Sequence, residues 1–233
     1  MIINWVSKSW RFHADYFLNT TKLASSYFKS DDNCHTFTLI FTKTMMTEKH
    51  RCGWCVGDAL YEAYHDQEWG VPVYDDATIF EFLILETFQA GLSWITILRK
   101  RKNFRAAFDN FDYKKIATYN QNKIDELLQD AGIIRNKLKV NATITNAQLF
   151  MKIQEEFGSF SKYIWDFVDR KPIKNKLKNY KEAPPTTAIS DALSKDLKKR
   201  GFKFVGSTVM YAHMQATGMV NDHEIGCFRY GEV

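Results

Sequence analysis

Residues 83–94 constrain this chain more than any other stretch. They read Leu-Ile-Leu-Glu-Thr-Phe-Gln-Ala-Gly-Leu-Ser-Trp, with one carboxylate, Glu86, set inside an apolar run. An ionised group buried without partners is costly, and the usual outcome is that it finds a partner or neutralises. A fold that accepts this stretch must give Glu86 either a partner or a use. Gly91 and Trp94 follow within one or two helical turns. An acid on the wall of an apolar, aromatic pocket is suited to holding a flat, polar or cationic ring.

The chain has 233 residues, enough for one good core or for one domain with an appendage. Aromatic residues make up 15%, which serves a core and base stacking equally well. A net charge of +5 permits binding to a polyanion without demanding it. No apolar run is long enough to span a bilayer, so no membrane partner is expected. The four cysteines, Cys34, Cys52, Cys55 and Cys227, are too few for a disulfide scaffold. A reducing, cytoplasmic compartment is the expectation.

Residues 1–46 differ from the rest. They hold no Glu, Gly or Pro and no sustained helical period, with Trp5, Trp10, Phe12, Tyr16 and Phe17 scattered among polar residues. Residues 37–41 read as a short strand. Lys8 and Arg11 resemble a transit peptide only faintly, and Asp15, Asp31 and Asp32 argue against one. This segment is read as a poorly structured extension, with Met46 as an alternative start, and residues 47–233 as the working domain.

In that domain Asp75 to Thr78 leads into a helix, with a capping box expected at Thr78 and Glu81. Gly91 breaks it, and Ser93 caps a second helix running to the basic cluster Arg99 to Lys102. A short helix covers residues 121–131. Ile134, Leu138, Ala142, Leu149, Ile153 and Phe157 mark one face of a long helix. Phe160, Ile164 and Phe167 mark another. Residues 171–189, rich in Pro and Lys, read as a loop. A helix capped by Ser190 or Asp191 ends at Gly201, and a last helix spans residues 208–217. No alternating strand pattern stands out, so the fold class is mainly α, one compact helical domain.

Cys52, His65, His223 and Cys227 would satisfy a closed tetrahedral zinc site clasping the two ends of the domain. Four unrelated residues are the simpler account from spacing alone. Cys52-x-x-Cys55 also allows a Cys52, Cys55, His223, Cys227 set. Trp54, Tyr61, Tyr64, Trp69 and Trp94 flank these residues and Glu86. Aromatics at such spacing are more often core than cage, but beside a buried acid they can stack on a base. Gly201 and Gly206 bound a hairpin between two helices, with Lys195, Lys198, Lys199, Arg200 and Lys203 around it. Such a hairpin and the following helix N-terminus can hold a phosphate, and a solvated helix face explains the charges equally well.

Several blocks together carry a resemblance. They are Arg51-Cys52-Gly53-Trp54, Tyr64-His65-Asp66 with Glu68-Trp69-Gly70, and Gln89-Ala90-Gly91-Leu92-Ser93-Trp94. They continue with Asp130-Ala131-Gly132-Ile133-Ile134-Arg135, Lys198 to Gly206, and Val220-Asn221-Asp222-His223. From about residue 51 to 230 the chain resembles the DNA-3-methyladenine glycosylase I family, among the helix-hairpin-helix DNA glycosylases. The resemblance does not reach residues 1–46. It implies a monomeric enzyme acting on double-stranded DNA that carries alkylated bases, excising 3-methyladenine to leave an abasic site. It implies structural zinc on Cys52, His65, His223 and Cys227, with Cys55 outside the set. Glu86, the catalytic carboxylate, and Tyr64 would hydrogen-bond the extruded base, and Trp94 would stack on it. Trp54, Tyr61 and Trp69 would complete the pocket, and Leu92 would fill the gap in the duplex. Gly201, Lys203 and Gly206 would grip the DNA backbone. Asp222 stands near the place where many relatives in the wider superfamily carry a catalytic aspartate, but this family is not expected to use it so. A zinc-stabilised DNA-binding protein without catalysis is the competing reading.

Overall fold

The structure, a computed structural model, describes residues 49–233. The expected strand at residues 37–41, Cys34 and the whole extension through Met46 lie outside the described residues. Helix α1 covers Ala59–Gln67, α2 Asp76–Gln89, α3 Trp94–Ala107, α4 Tyr113–Ile116 and α5 Gln121–Gln129. After these come α6 Lys137–Phe157, α7 Phe160–Trp165, α8 Ala188–Lys199 and α9 Ser207–Ala216. Among the described residues the only strands are Ile173–Lys174 (β1) and Val220–Asn221 (β2), a parallel pair in which Ile173 faces Val220.

Helix α2 is the axis of the domain. From Ile79 to Phe88 nearly every residue is buried, the pattern of a helix enclosed on all sides. Its start differs from expectation. Asp75 is the N-cap, accepting 2.8 Å hydrogen bonds from the Thr78 amide and hydroxyl. Glu81 is drawn away from any capping box to receive the Arg101 Nε–H at 2.6 Å. Arg101 also donates to Glu68 at 2.6 Å and lies over the Phe82 ring. The basic cluster at residues 99–102 is therefore split, with Arg101 buried as a tie between α1, α2 and α3.

Around α2, ring pairs such as Phe80 with Phe150 (5.0 Å) and Phe150 with Phe160 (4.1 Å) join it to α6 and α7. The face of α6 is rotated from the one expected. Ile134 precedes the helix, whose N-cap is Asn136, and Leu138 is 72% exposed. Lys139 takes the inward place instead. Its ammonium donates at 2.7 Å to both the Phe88 and Ala90 carbonyls, which the C-terminus of α2 leaves without helical partners. A polar demand thus displaces an apolar side chain into solvent.

The N-cap of α8 is Thr187, three residues before Ser190, through a reciprocal capping box between the two. Its link to α9 is the expected hairpin. Gly201 holds φ +101°, and Lys203 exchanges two backbone hydrogen bonds with the Asn146 side chain on α6. Gly218 (φ +70°) follows the end of α9. A Cβ there would lie 2.4 Å from the backbone of Val71 and Pro72, so only glycine lets these segments touch.

Candidate active site and metal centre

Two sites lie side by side, with Trp54 and Trp69 of the first packed against His65 and His223 of the second. The first is a cavity of about 220 Å³ walled by Trp54, Tyr61, Tyr64, Trp69 and Trp94, with Glu86 in its lining. Each wall residue arrives by a simple local rule. Asp58 caps α1 through the Leu60 and Tyr61 amides, which orients the face bearing Tyr61 and Tyr64. Trp94 opens α3 directly after the Gly91 break, and the Ile95 amide donates to the Tyr61 hydroxyl at 3.2 Å. The rings interlock at edges and tilts: Trp54 with Tyr61 at 5.1 Å, Trp54 with Trp69 at 5.0 Å, Tyr64 with Trp94 at 5.5 Å.

Glu86 is 4% exposed, and burial alone pushes its carboxyl up to about 8. No charged or hydrogen-bonding group among the described residues offsets that burial. The indole N–H groups of Trp54 and Trp94 are likewise buried without a partner among the described residues. Three unsatisfied polar groups around one cavity are rare in a folded domain and mark a place where a polar ring can be received.

Sequence reasoning did not find the far side of this cavity. Gln89 lines it from the end of α2, Tyr180 and Ala183 from the loop after α7, and Ala212 and Gln215 from α9. Asp222 also borders it, held by three donors. Oδ1 accepts from the Asn175 amide, and Oδ2 from the Tyr211 hydroxyl and the Gln215 amide, each at 2.7 Å. A polar pair such as Gln215 and Asp222, seven apart and without periodic pattern, gives no signal in a sequence. Leu92, 39% exposed, stands outside the cavity on the break between α2 and α3. Gly201, Lys203 and Gly206 lie on the hairpin, also outside it. A Cβ on Gly91 or Gly206 would meet nothing within 4 Å, so internal packing does not require glycine at either place.

The second site joins the two ends of the described domain. Cys52, His65, His223 and Cys227 are buried, with one ligand atom from each within 4.8 Å of the others. The closest approaches are Cys227 Sγ to His65 Nε2 at 3.4 Å and Cys52 Sγ to His223 Nδ1 at 3.5 Å. A tetrahedral Cys₂His₂ zinc site places sulfur and nitrogen about 3.5 Å apart, so the spacing fits. The surroundings fit as well. His65 Nδ1–H donates to Asp66 at 2.9 Å and His223 Nε2–H to the Trp69 carbonyl at 3.1 Å. Those bonds fix both tautomers with the remaining lone pair turned inward. Each sulfur accepts a backbone amide, from Glu224 and from Arg229. The contact between the two thiols raises Cys52 and lowers Cys227. Cys55 is outside the cluster. Its thiol donates to the Cys52 carbonyl at 3.2 Å, and the four side chains that converge are those of the set with His65.

A helical domain with a hairpin between α8 and α9 and an aromatic cavity holding an unpaired acid has the build of a DNA glycosylase. A model of the methyladenine glycosylase family matches residues 54–230. The chain is 50% identical over 180 residues to DNA-3-methyladenine glycosylase 1 of Escherichia coli K12, covering 77% of this chain and 96% of that protein. It is 46% identical to a DNA-3-methyladenine glycosylase of Haemophilus influenzae, over 76% of this chain and 96% of the other. Among solved structures, a 3-methyladenine DNA glycosylase I superposes with a TM-score of 0.75 at 49% identity, over 77% of this chain and 98% of that one. A second, from Staphylococcus aureus, described as the structural basis of 3-methyladenine recognition, superposes with a TM-score of 0.74 at 35% identity. It covers 76% of this chain and 95% of its own. The chain belongs to the methyladenine glycosylase family.

Proposed function

We propose that this chain is a DNA glycosylase that extrudes 3-methyladenine from alkylated double-stranded DNA and hydrolyses its N-glycosidic bond. The observation that carries the reading is Glu86, an acid buried without a partner on the wall of an aromatic cavity. Methylation at N3 places positive charge on the base. The bond between the sugar C1′ and the base nitrogen then breaks with its electron pair leaving on the base. Water adds to C1′, its proton is lost to solvent, and an abasic site remains. The leaving group is already activated, so a strong general acid is unnecessary.

The pocket's task is selection. A cationic base gives Glu86 the counter-charge that burial denies it, so the carboxyl gives up its proton and becomes both charge partner and acceptor. Tyr64 supplies a second hydrogen bond. Trp94 supplies a stacking and cation–π face, with Trp54, Tyr61 and Trp69 closing the walls. Extrusion costs a few kcal/mol of unstacking, less for a lesion that stacks poorly, and Leu92 fills the gap left behind. The hairpin at Gly201, Lys203 and Gly206 approaches the phosphates. Support for this comes from the open space beside Gly206 and from the N-terminus of α9, which has no side-chain cap. Asp222 is not assigned the role of base in this reading; three donors hold it as part of the cavity wall.

Zinc on Cys52, His65, His223 and Cys227 is structural in this reading, since four protein ligands leave no open position. The enzyme works as a cytoplasmic monomer, and residues 1–46 are an appendage to the catalytic domain at 47–233. Support for the compartment is that the buried Cys52, Cys55 and Cys227 are not joined in disulfides. The deciding experiment measures release of free 3-methyladenine from methylated duplex DNA by the parent and by Glu86→Gln. Release by the parent alone is expected. A folded, metal-loaded parent that binds DNA but releases no base would leave a non-catalytic damage-binding protein as the better account.

A further inference from the structure

Helix α6 holds two separate elements through two buried side chains on one of its faces. The first element is the hairpin. Asn146 accepts the Lys203 amide at 2.8 Å and donates its own amide to the Lys203 carbonyl at 3.0 Å. The second is the break between α2 and α3. The Lys139 ammonium donates at 2.7 Å to the carbonyls of Phe88 and Ala90, which bracket Gln89. Gln89 in turn holds Leu92 twice. Its carbonyl accepts the Leu92 amide at 2.6 Å, and its side-chain amide donates to the Leu92 carbonyl at 3.0 Å. Lys139 and Asn146 are seven positions apart, so about 10 Å of helix separates the two attachments. The Lys139 ammonium also lies 6.0 Å from the centre of the Phe204 ring, on the hairpin itself.

Burying an ammonium is costly, and Lys139 is only 6% exposed. Water can satisfy the last carbonyls of a helix without that cost. A lysine rooted in α6 adds what water cannot, a fixed attachment to a second element. We propose that Lys139 is a positioning residue for base extrusion: it fixes the turn at residues 89–92, and with it Leu92, at a set distance from the hairpin. In the glycosylase reading, on which this inference rests, Leu92 must meet the duplex in register with the phosphates that the hairpin approaches. A turn released from α6 keeps its leucine and loses that register. Lys139 touches neither the base nor the reacting atoms and acts through Leu92.

A double-mutant cycle tests this. Release of 3-methyladenine from methylated duplex DNA is measured for the parent, Lys139→Met, Leu92→Ala and the double variant, together with the affinity for free 3-methyladenine from the fluorescence of the cavity tryptophans. Lys139→Met should lower kcat/KM by about tenfold in the parent and by less than about twofold once Leu92 is already alanine, because residues that act through one another do not add. Free-base affinity should stay as in the parent. A purely structural role would give the same fall in both backgrounds. Should Lys139→Met fail to fold, Lys139→Gln, whose amide can still donate to one carbonyl, takes its place in the cycle with the same two outcomes. An additive cycle, a Leu92→Ala variant as fast as the parent, or a matching loss of free-base affinity overturns the inference and leaves the enzyme reading standing. A parent that binds DNA and releases no base overturns both.

Discussion

The cavity and the metal cluster are built from neighbouring residues by opposite rules. At the cluster every polar direction is used: both imidazoles donate outward, both sulfurs accept amides, and four inward lone pairs converge. At the cavity the polar directions are left open, with Glu86 and two indole N–H groups unpartnered among the described residues. One site spends its chemistry on holding the chain, and the other withholds it for a ligand. Loss of the first should appear as lost stability, and loss of the second as lost activity with stability kept or gained.

The sharpest break of this contrast is removal of the metal. A strong chelator, or Cys227→Ser, should cost several kcal/mol and lower the melting temperature by ten degrees or more. Equal melting curves with and without chelator, on a parent in which elemental analysis finds no zinc, would remove the cluster from the stability account. Next in size, Glu86→Gln should slow excision by about a hundredfold, near the scale of one lost charge contact in a dry site, without lowering the melting temperature. A variant that both unfolds and loses activity would show that Glu86 holds structure after all.

A pH titration sharpens the same point. Burial raises the Glu86 carboxyl to about 8 in the folded chain from its ordinary carboxylate value. Between those two values the folded state holds a proton that the unfolded state has released, so Glu86 makes stability fall as pH rises toward 8, after which the loss is complete. Denaturant unfolding of the parent minus that of Glu86→Gln should therefore show a deficit of a few kcal/mol growing across that window. A flat difference would mean that a partner stabilises the carboxylate. The smallest expected effect is that of deleting residues 1–45, which should leave base release and metal content as they were. A large loss of either would place the extension within one of the two sites.

The helical plan was legible because apolar runs and glycine stops mark α2, α6 and α9. What stayed hidden follows from polar groups whose partners are distant in sequence. Lys139 faces inward because the carbonyls of Phe88 and Ala90 need donors, and that turned Leu138 outward against its hydropathy. Glu81 reads as half a capping box until Arg101 and Arg105 claim it. For the cavity, the aromatic wall and Glu86 stood out because an acid in an apolar run is anomalous, whereas Gln215 and Tyr180 are ordinary residues made significant only by the helix and loop that carry them. The metal set lay between two possibilities by spacing. Resemblance pointed to His65 over Cys55, and in the structure His65 stands among the four converging side chains while Cys55 does not.

The cluster joins positions 171 residues apart, Cys52 and His223, and its ligands sit against cavity residues: Tyr64 precedes His65, and the Trp69 carbonyl holds His223. Synthesis runs from one end to the other. Trp54, Tyr61, Tyr64 and Trp69 emerge early, but the groups that lock them emerge last, and closing so long a loop carries an entropic cost that only the completed contacts repay. A chain still on the ribosome has made its aromatic residues and has no finished pocket. Cys227, the last of the four cluster residues, appears only near the end of synthesis, so the cluster cannot assemble on an interrupted or truncated product.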